Sequence, residues 1–340
     1  MIYTTIDNVR YGQVLGRNLY TKDGNVLLRS GVVLSVGLIS RLKEIGVSAI
    51  YIKDERFNDI EVKDLVSEET RREAMSNLSI AVERVQAGKD FDINSFKKTT
   101  DNIVSEIMQN NNILVNLTDI RTKDNKLFVH SLNTCMISVL MGIHLKVSNI
   151  QLAELAIGSL LHDIGKSLPD IPENDHPVQG FNILRKKYDF NIVTAHIALQ
   201  HHEHVDGSGY PRGVKGDEIP LFAKIVAVAD YFDTLLARED LKPYEACEKI
   251  MAEANSKFDL NIINVFLKSV SIYPTGSWVT LTNGDIGVVV KQHKGLPSRP
   301  VVRVFSASSK EGDLNLDDTE LKDIDLANEK TIFIKHAITE

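Results

Sequence analysis

Between Leu127 and Val270 almost every long stretch of this chain repeats its apolar residues at helical spacing, and that feature confines the middle of the protein to an all-helical architecture. The runs are LFVHSLNTCMISVLMGIHL, NIQLAELAIGSLL, FAKIVAVADYFDTLL, PYEACEKIMAEAN and LNIINVFLKSV. Both flanks follow another rhythm. Residues 1–62 alternate short apolar runs with turn signals: Asp23-Gly24 predicts a hairpin, SVGLISRLKEIG a helix and AIYIK a strand, together a small α+β module with a possible regulatory role. After Tyr273-Pro274, SWVTLT and DIGVVVKQ on either side of Asn283-Gly284, then RPVVRVF, predict a hairpin and a third strand in a small β module, 271–340. The charged stretch KDERFNDIEVKDLVSEETRRE leads into further helical spacing from about residue 66 to 117 (Met75, Leu78, Ile80, Val82, Val85; then Ile103, Ile107, Leu114, Leu117). Residues 63–94 are read as a helical linker and 95–270 as the central domain. The apolar faces of 66–117 can serve a homodimer or pack within one chain.

Composition limits the function classes. At 43% hydrophobic and 25% charged residues the chain matches ordinary folded proteins, so neither disorder nor a fibrous architecture is expected. Its net charge of −7 argues against a broad face for a nucleic-acid polymer, which needs clustered Lys and Arg to displace counterions. No segment is apolar for eighteen residues, and MIYTTIDNVRYG lacks a basic region followed by an apolar core; the expectation is a cytoplasmic chain with no membrane span. Cys135 and Cys247 each sit in an apolar helical pattern, as buried free thiols do.

Histidine placement carries the chemistry. His130, His162, His176, His201 and His202 fall where metal binding would place them. His162-Asp163 closes the apolar helix AIGSLLHDIGK just before Gly165, a helix-ending residue, and so offers an imidazole and a carboxylate at one turn. His176 opens HPVQG, His201-His202-Glu203 ends NIVTAHIALQHHE, and Asp230 lies among apolar neighbours, where a lone carboxylate would be costly to bury. Five imidazoles and two carboxylates, with Asp163 shared, suit two divalent transition ions such as iron or manganese better than one Cys-rich structural zinc. His144, His293 and His336 are read as ordinary histidines, and so are His196 and His204, which are nonetheless close enough to the motifs for a supporting role.

These segments resemble the HD-GYP family of HD-domain phosphohydrolases. The matching residues are HDIGK at 162–166, HPVQG at 176–180, HHEHVDGSGYP at 201–211 with its Gly209-Tyr210-Pro211, DYFD at 230–233 and KPY at 242–244. The resemblance is firm over the helical part and looser over GQVLGRNLYTKDG and the C-terminal tract. It implies a mainly α fold: an HD-type helical bundle with a small α+β N-terminal module and a small β C-terminal module. It implies hydrolysis of cyclic di-GMP to pGpG or GMP by a hydroxide bridging two metal ions. One ion would take His130, His162, Asp163 and Asp230, and the other Asp163, His176, His201 and His202. Lys166 would bring a cation to the scissile phosphate. Gly209, Tyr210 and Pro211 would form a loop against the ligand or against a diguanylate cyclase (GGDEF) partner, with Asp233 bracing that loop.

The chain also departs from the family pattern. Some relatives carry a Glu four residues before the first histidine, which helps bind a third metal; Lys126 stands there, favouring two. Only nine residues, SLPDIPEND, separate Lys166 from His176, implying a more open pocket. Lys242 replaces the usual Arg before Pro-Tyr and lacks its bidentate fork for phosphate. Two alternatives follow: an HD phosphohydrolase acting on another cyclic dinucleotide, or a receptor or scaffold that binds without turnover.

Overall fold

The structure is a computed structural model that describes residues 1–60, 62–111, 113–115, 121–238, 241–306 and 320–338. The N-terminal module contains β1 (Ile2–Thr5), β2 (Val14–Leu15), β3 (Leu19–Tyr20), β4 (Val26–Leu28), α1 (Val36–Glu44) and β5 (Ala49–Lys53). β5 pairs antiparallel with β1 and β2, while β3 and β4 form the hairpin predicted at Asp23-Gly24. Ser35 starts α1 by accepting the Leu38 N–H, which satisfies one of the free donors of the first turn.

Nine helices follow among the described residues: α2 (Glu68–Gln86), α3 (Ile93–Gln109), α4 (Lys126–His144), α5 (Asn149–Leu160), α6 (His176–Leu184), α7 (Ile192–Gln200), α8 (Leu221–Arg238), α9 (Pro243–Ala252) and α10 (Leu260–Leu267). α4 is the axis of the bundle. Every residue from Phe128 to Gly142 is buried, because α2, α3, α5, α8 and α10 all pack around it. A helix covered on all sides can be apolar all round. α4 is therefore long and apolar enough to cross a membrane by length and composition, a feature the sequence reading did not pick out, yet most of it is buried inside the fold.

The stretch read as a helical linker joins this bundle. Ala74, Met75, Leu78, Ala81 and Val85 of α2 lie in one core with Ile103 and Ile107 of α3 and Leu132 and Met136 of α4. Those faces are thus covered within one chain, although Ile80 and Met108 are exposed. Leu114 falls beyond the end of α3, beside Val115, which bridges to Val270; Leu117 lies outside the described residues. Cys135 and Cys247 are buried free thiols, and burial pushes both up to about 12.

The C-terminal sheet has the order β10-β6-β7-β8-β9, built from β6 (Trp278–Leu281), β7 (Ile286–Lys291), β8 (Val301–Ser306), β9 (Glu320–Asp325) and β10 (Ile334–Ile338), all neighbours antiparallel. The predicted hairpin and third strand are β6, β7 and β8. β9 and β10 were not foreseen, since ELKDID and IKHAI carry too few alternating apolar residues to read as strands. This sheet shares a core with the N-terminal module. Trp278 and Phe305 stack at 5.5 Å, and Phe57 meets each edge-on at 6.1 Å. The Tyr3 N–H donates to the Gly276 carbonyl, and Arg303 pairs with Asp59.

Candidate metal centre

Helix ends bring the chemistry together. α5 stops at Leu160, and the turn that follows carries His162 and Asp163 into a short 3-10 segment, Ile164–Ser167. That segment lies so close to the first turn of α6 that a Cβ on Gly165 would collide with the backbone of His176 and Gly180. His176 is the first residue of α6, and Pro177 follows it in the first turn, where its missing N–H is not needed. His201 caps the C-terminus of α7 and His202 comes next. His130 and Asp230 project from α4 and α8, the central packed pair.

All seven predicted ligands meet, in two adjoining groups: His130, His162, Asp163 and Asp230, and His176, His201 and His202, with the donor atoms of each group within 4.8 Å of one another. Asp163 joins them. Its Oδ2 lies 3.5 Å from Nε2 of His130 and of His162, while its Oδ1 lies 3.3 Å from Nε2 of His176 and 3.6 Å from that of His201. Asp230 Oδ1 is 2.9 Å from His130 Nε2 and 3.5 Å from His162 Nε2.

The tautomers decide what such proximity means. Nδ1 of His162 faces the Ser159 carbonyl at 2.7 Å, Nδ1 of His201 the Ala198 carbonyl at 2.9 Å, and Nδ1 of His176 the Glu173 carbonyl. A carbonyl only accepts, so each Nδ1 carries the proton and each Nε2 turns a lone pair inward. The lone-pair-bearing Nε2 atoms of His176 and His201 then stand 3.4 Å apart, with His202 Nε2 3.2 Å from that of His176. Converging lone pairs repel unless a cation sits among them. His162 Nε2 and Asp163 Oδ1 are buried with no hydrogen-bond partner, an arrangement that costs about 1–3 kcal/mol per group unless something else ligates it. The donor set therefore fits metal ions, and its N and O composition suits transition metals.

The charges agree with this geometry. Burial opposes ionisation of Asp163 and Asp230, yet the histidines around both, and Lys166 beside Asp163, hold them well below the carboxylate range. Burial lowers His201, and burial with neighbouring His201 pushes His202 down to about 2, so both remain neutral and ready to donate lone pairs. His130 differs: burial is outweighed by Asp230 and Asp233 on its two nitrogens, which push it up to about 10.

Around the ligands, the Lys166 ammonium lies 2.5 Å from Asp163 Oδ2. The Tyr210 ring stacks on His202 at 4.8 Å, and Gly209 presses against the backbone of residues 202–204 with no room for a Cβ. Two expectations need correction. Asp233 does not brace the loop bearing Tyr210 and Pro211; it is fully buried behind His130, accepting from His130 Nδ1 at 2.6 Å, from Asn133 at 3.0 Å and from Arg121. Three residues after Asp230 on a helix, it faces the same interior as its neighbour. Lys242 is not in the cluster. It caps the start of α9, and its ammonium donates to the Ala337 carbonyl of β10 at 2.5 Å.

The loop is braced instead by Glu203, whose buried carboxylate accepts from the Arg212 and Val214 N–H groups. Its place in HHE was a usable signal; nothing local marked Arg121 or Asn133. His204 bonds Ser208 within the loop, whereas His196 turns to Gln200 and Phe181. A shallow cleft opens elsewhere, between the N-terminal module, α2 and the start of α4, but its Arg17 and Arg71 already face Asp64, and its Glu68 already holds Asn18.

Comparison with known proteins agrees with this geometry. Residues 112–262 match the model of the HD domain, and residues 278–340 match that of a KOW domain associated with the HD domain. A cyclic di-GMP phosphodiesterase of Pseudomonas aeruginosa is 33% identical over 242 residues, covering 66% of this chain and 58% of the relative. A cyclic di-GMP phosphodiesterase of Thermotoga maritima is 37% identical over 142 residues, 36% of this chain and 39% of that protein. A 3'3'-cGAMP-specific phosphodiesterase of Vibrio cholerae is 36% identical over 136 residues, 36% of this chain and 29% of that protein. The chain thus spans little more than half the length of the first of these relatives and less of the others.

Proposed function

We propose, from the match of residues 112–262 to the HD domain, that this chain is a metal-dependent phosphodiesterase that hydrolyses cyclic di-GMP to pGpG or GMP, acting in the bacterial cytoplasm. The observation that carries this reading is the double cluster with Asp163 between its halves, one oxygen toward each. Two divalent ions held there, iron or manganese, would supply an acidified water as nucleophile and positive charge against the phosphoryl oxygens. His130, His162, Asp163 and Asp230 would hold one, and Asp163, His176, His201 and His202 the other.

The chain's own groups do the rest. Carbonyls of Ser159, Glu173 and Ala198 keep each Nδ1 protonated, so the lone pairs point at the ions without reorganisation. Asp233 likewise holds the Nδ1 proton of His130, whose Nε2 would have to shed its own proton to take a metal. The Lys166 ammonium, at the rim on Asp163, is placed to meet a phosphate oxygen of an anionic substrate. Tyr210, half-exposed over His202, offers a ring face to a nucleobase, and its loop would be the surface met by a diguanylate cyclase.

The cGAMP-specific relative supports a second reading, hydrolysis of another cyclic dinucleotide, since its 36% identity over 136 residues is close to the 37% over 142 of the Thermotoga maritima enzyme. The deciding experiment is anaerobic turnover of cyclic di-GMP and 3'3'-cGAMP, side by side, by protein supplied with Fe(II) or Mn(II), with Asp163→Ala as control. Linear product only with intact Asp163 is expected. Full metal loading and nucleotide binding without product would leave a receptor.

A further inference from the structure

The loop after the paired ligands is tied back onto them through one side chain. His201, His202 and Glu203 occupy a single turn: His201 and His202 face the cluster, while Glu203, 2% exposed, points the other way into the base of the 204–216 loop. There its Oε1 accepts from Arg212 N–H at 2.8 Å and its Oε2 from Val214 N–H at 3.1 Å. The Tyr210 N–H reaches back to the His202 carbonyl at 3.1 Å, and the Tyr210 ring lies on the His202 imidazole. At its outer end the loop is anchored separately, by Val205 N–H to the Lys257 carbonyl and Asp206 N–H to the Ser256 carbonyl.

The geometry points to Glu203 as a positioning residue that couples metal occupancy at the His176, His201 and His202 end to the placement of Gly209, Tyr210 and Pro211. The coupling rests on the metal-centre reading above. A cation drawn among the three imidazoles fixes the backbone of the 201–203 turn. The buried carboxylate, which must keep both N–H partners or lose its compensation, carries that restraint to residues 212 and 214. Asp206, Ser208 and His204 organise the loop tip among themselves and make no such link. Loading the centre would thereby set the Tyr210 ring beside it before substrate arrives.

Hydrogen exchange tests this in the full-length protein, following the 204–216 segment with and without Mn(II) while bound manganese is counted independently. In the wild type, Mn(II) should slow exchange at Arg212 and Val214 about tenfold or more, as hydrogen bonds to a charged group allow. Glu203→Gln, which puts an amide NH₂ against one of those donors, should bind the same amount of manganese and lose most of that protection. Equal metal protection in both proteins, or none in the wild type despite bound manganese, overturns the coupling; the wild-type arm decides this even if the variant does not fold. Loss of manganese in Glu203→Gln would place the carboxylate with the ligand set and also overturn it. A wild type that takes up no manganese would sink the metal centre and the coupling together.

Discussion

Two buried regions of this protein follow opposite rules. Where the terminal modules meet, Phe57, Trp278 and Phe305 pack with Leu15, Ile50 and Val288, so burial there removes apolar surface from water and contributes stability directly. At the helix ends of the bundle, burial covers His130, His162, Asp163, His176, His201, Asp230 and Asp233 and leaves two polar atoms without partners. The first region would hold its shape in any solvent condition that preserves the hydrophobic effect. The second is costly without a cation and is kept in place by the apolar core around α4. A chain carries such a site only where its chemistry is needed and the rest of the fold offsets it.

The contrast can be broken experimentally. Asp163→Ala should lower turnover about 10⁴-fold, roughly 5.5 kcal/mol at 1.36 kcal/mol per decade. The same variant, measured metal-free, should shift the denaturation midpoint far less than it lowers turnover, because it removes an orphaned oxygen along with the Lys166 partner. A large loss of metal-free stability would mean that the cluster is a structural keystone, and the contrast would fail.

Phe57→Ala should do the reverse. Truncating a fully buried ring costs about 3–5 kcal/mol in chemical denaturation. Manganese stoichiometry and turnover, assayed well below the unfolding transition, should remain within about twofold of wild type, since ΔΔG values at distant sites are usually independent. Lost turnover in a folded Phe57→Ala protein would show that the terminal modules act on the centre.

Asp233→Asn sharpens the site half of the comparison. The carboxylate sets the His130 tautomer, so its replacement should weaken Mn(II) binding about 10–100-fold in a direct titration. Unchanged affinity would reduce Asp233 to a partner of Arg121. The smallest effect is expected at Arg303→Ala, which removes the partly exposed pair with Asp59 across the module interface and the one with Asp323 inside the C-terminal sheet; less than ~1 kcal/mol should be lost, and less still in high salt. A larger loss would give that interface an electrostatic component alongside its aromatic one.

Much of this was legible in residue order. The helical period from 127 to 270 predicted the bundle, because an amphipathic face must repeat at the helical pitch whatever it packs against. The seven side chains of the cluster were legible as well. Histidine and aspartate at helix ends, in HD, HP and HHE contexts, have few structural reasons to be there, and all seven converged. Asp233 and Lys242 were misjudged because a motif records neighbours along the chain, whereas their partners, His130 and Arg121 for one and Ala337 for the other, lie about a hundred residues away.

By itself, then, the sequence determined the helical centre, the small modules at each end and the side chains that gather in the buried cluster, since local period and residue chemistry are properties of short segments. Only the tertiary structure decided that Asp163 turns one oxygen to each half of the cluster, that Glu203 and not Asp233 holds the loop, and that the two ends of the chain share one aromatic core. Those facts depend on which distant segments meet and at what angle, and that is settled by the packing of the whole chain at once.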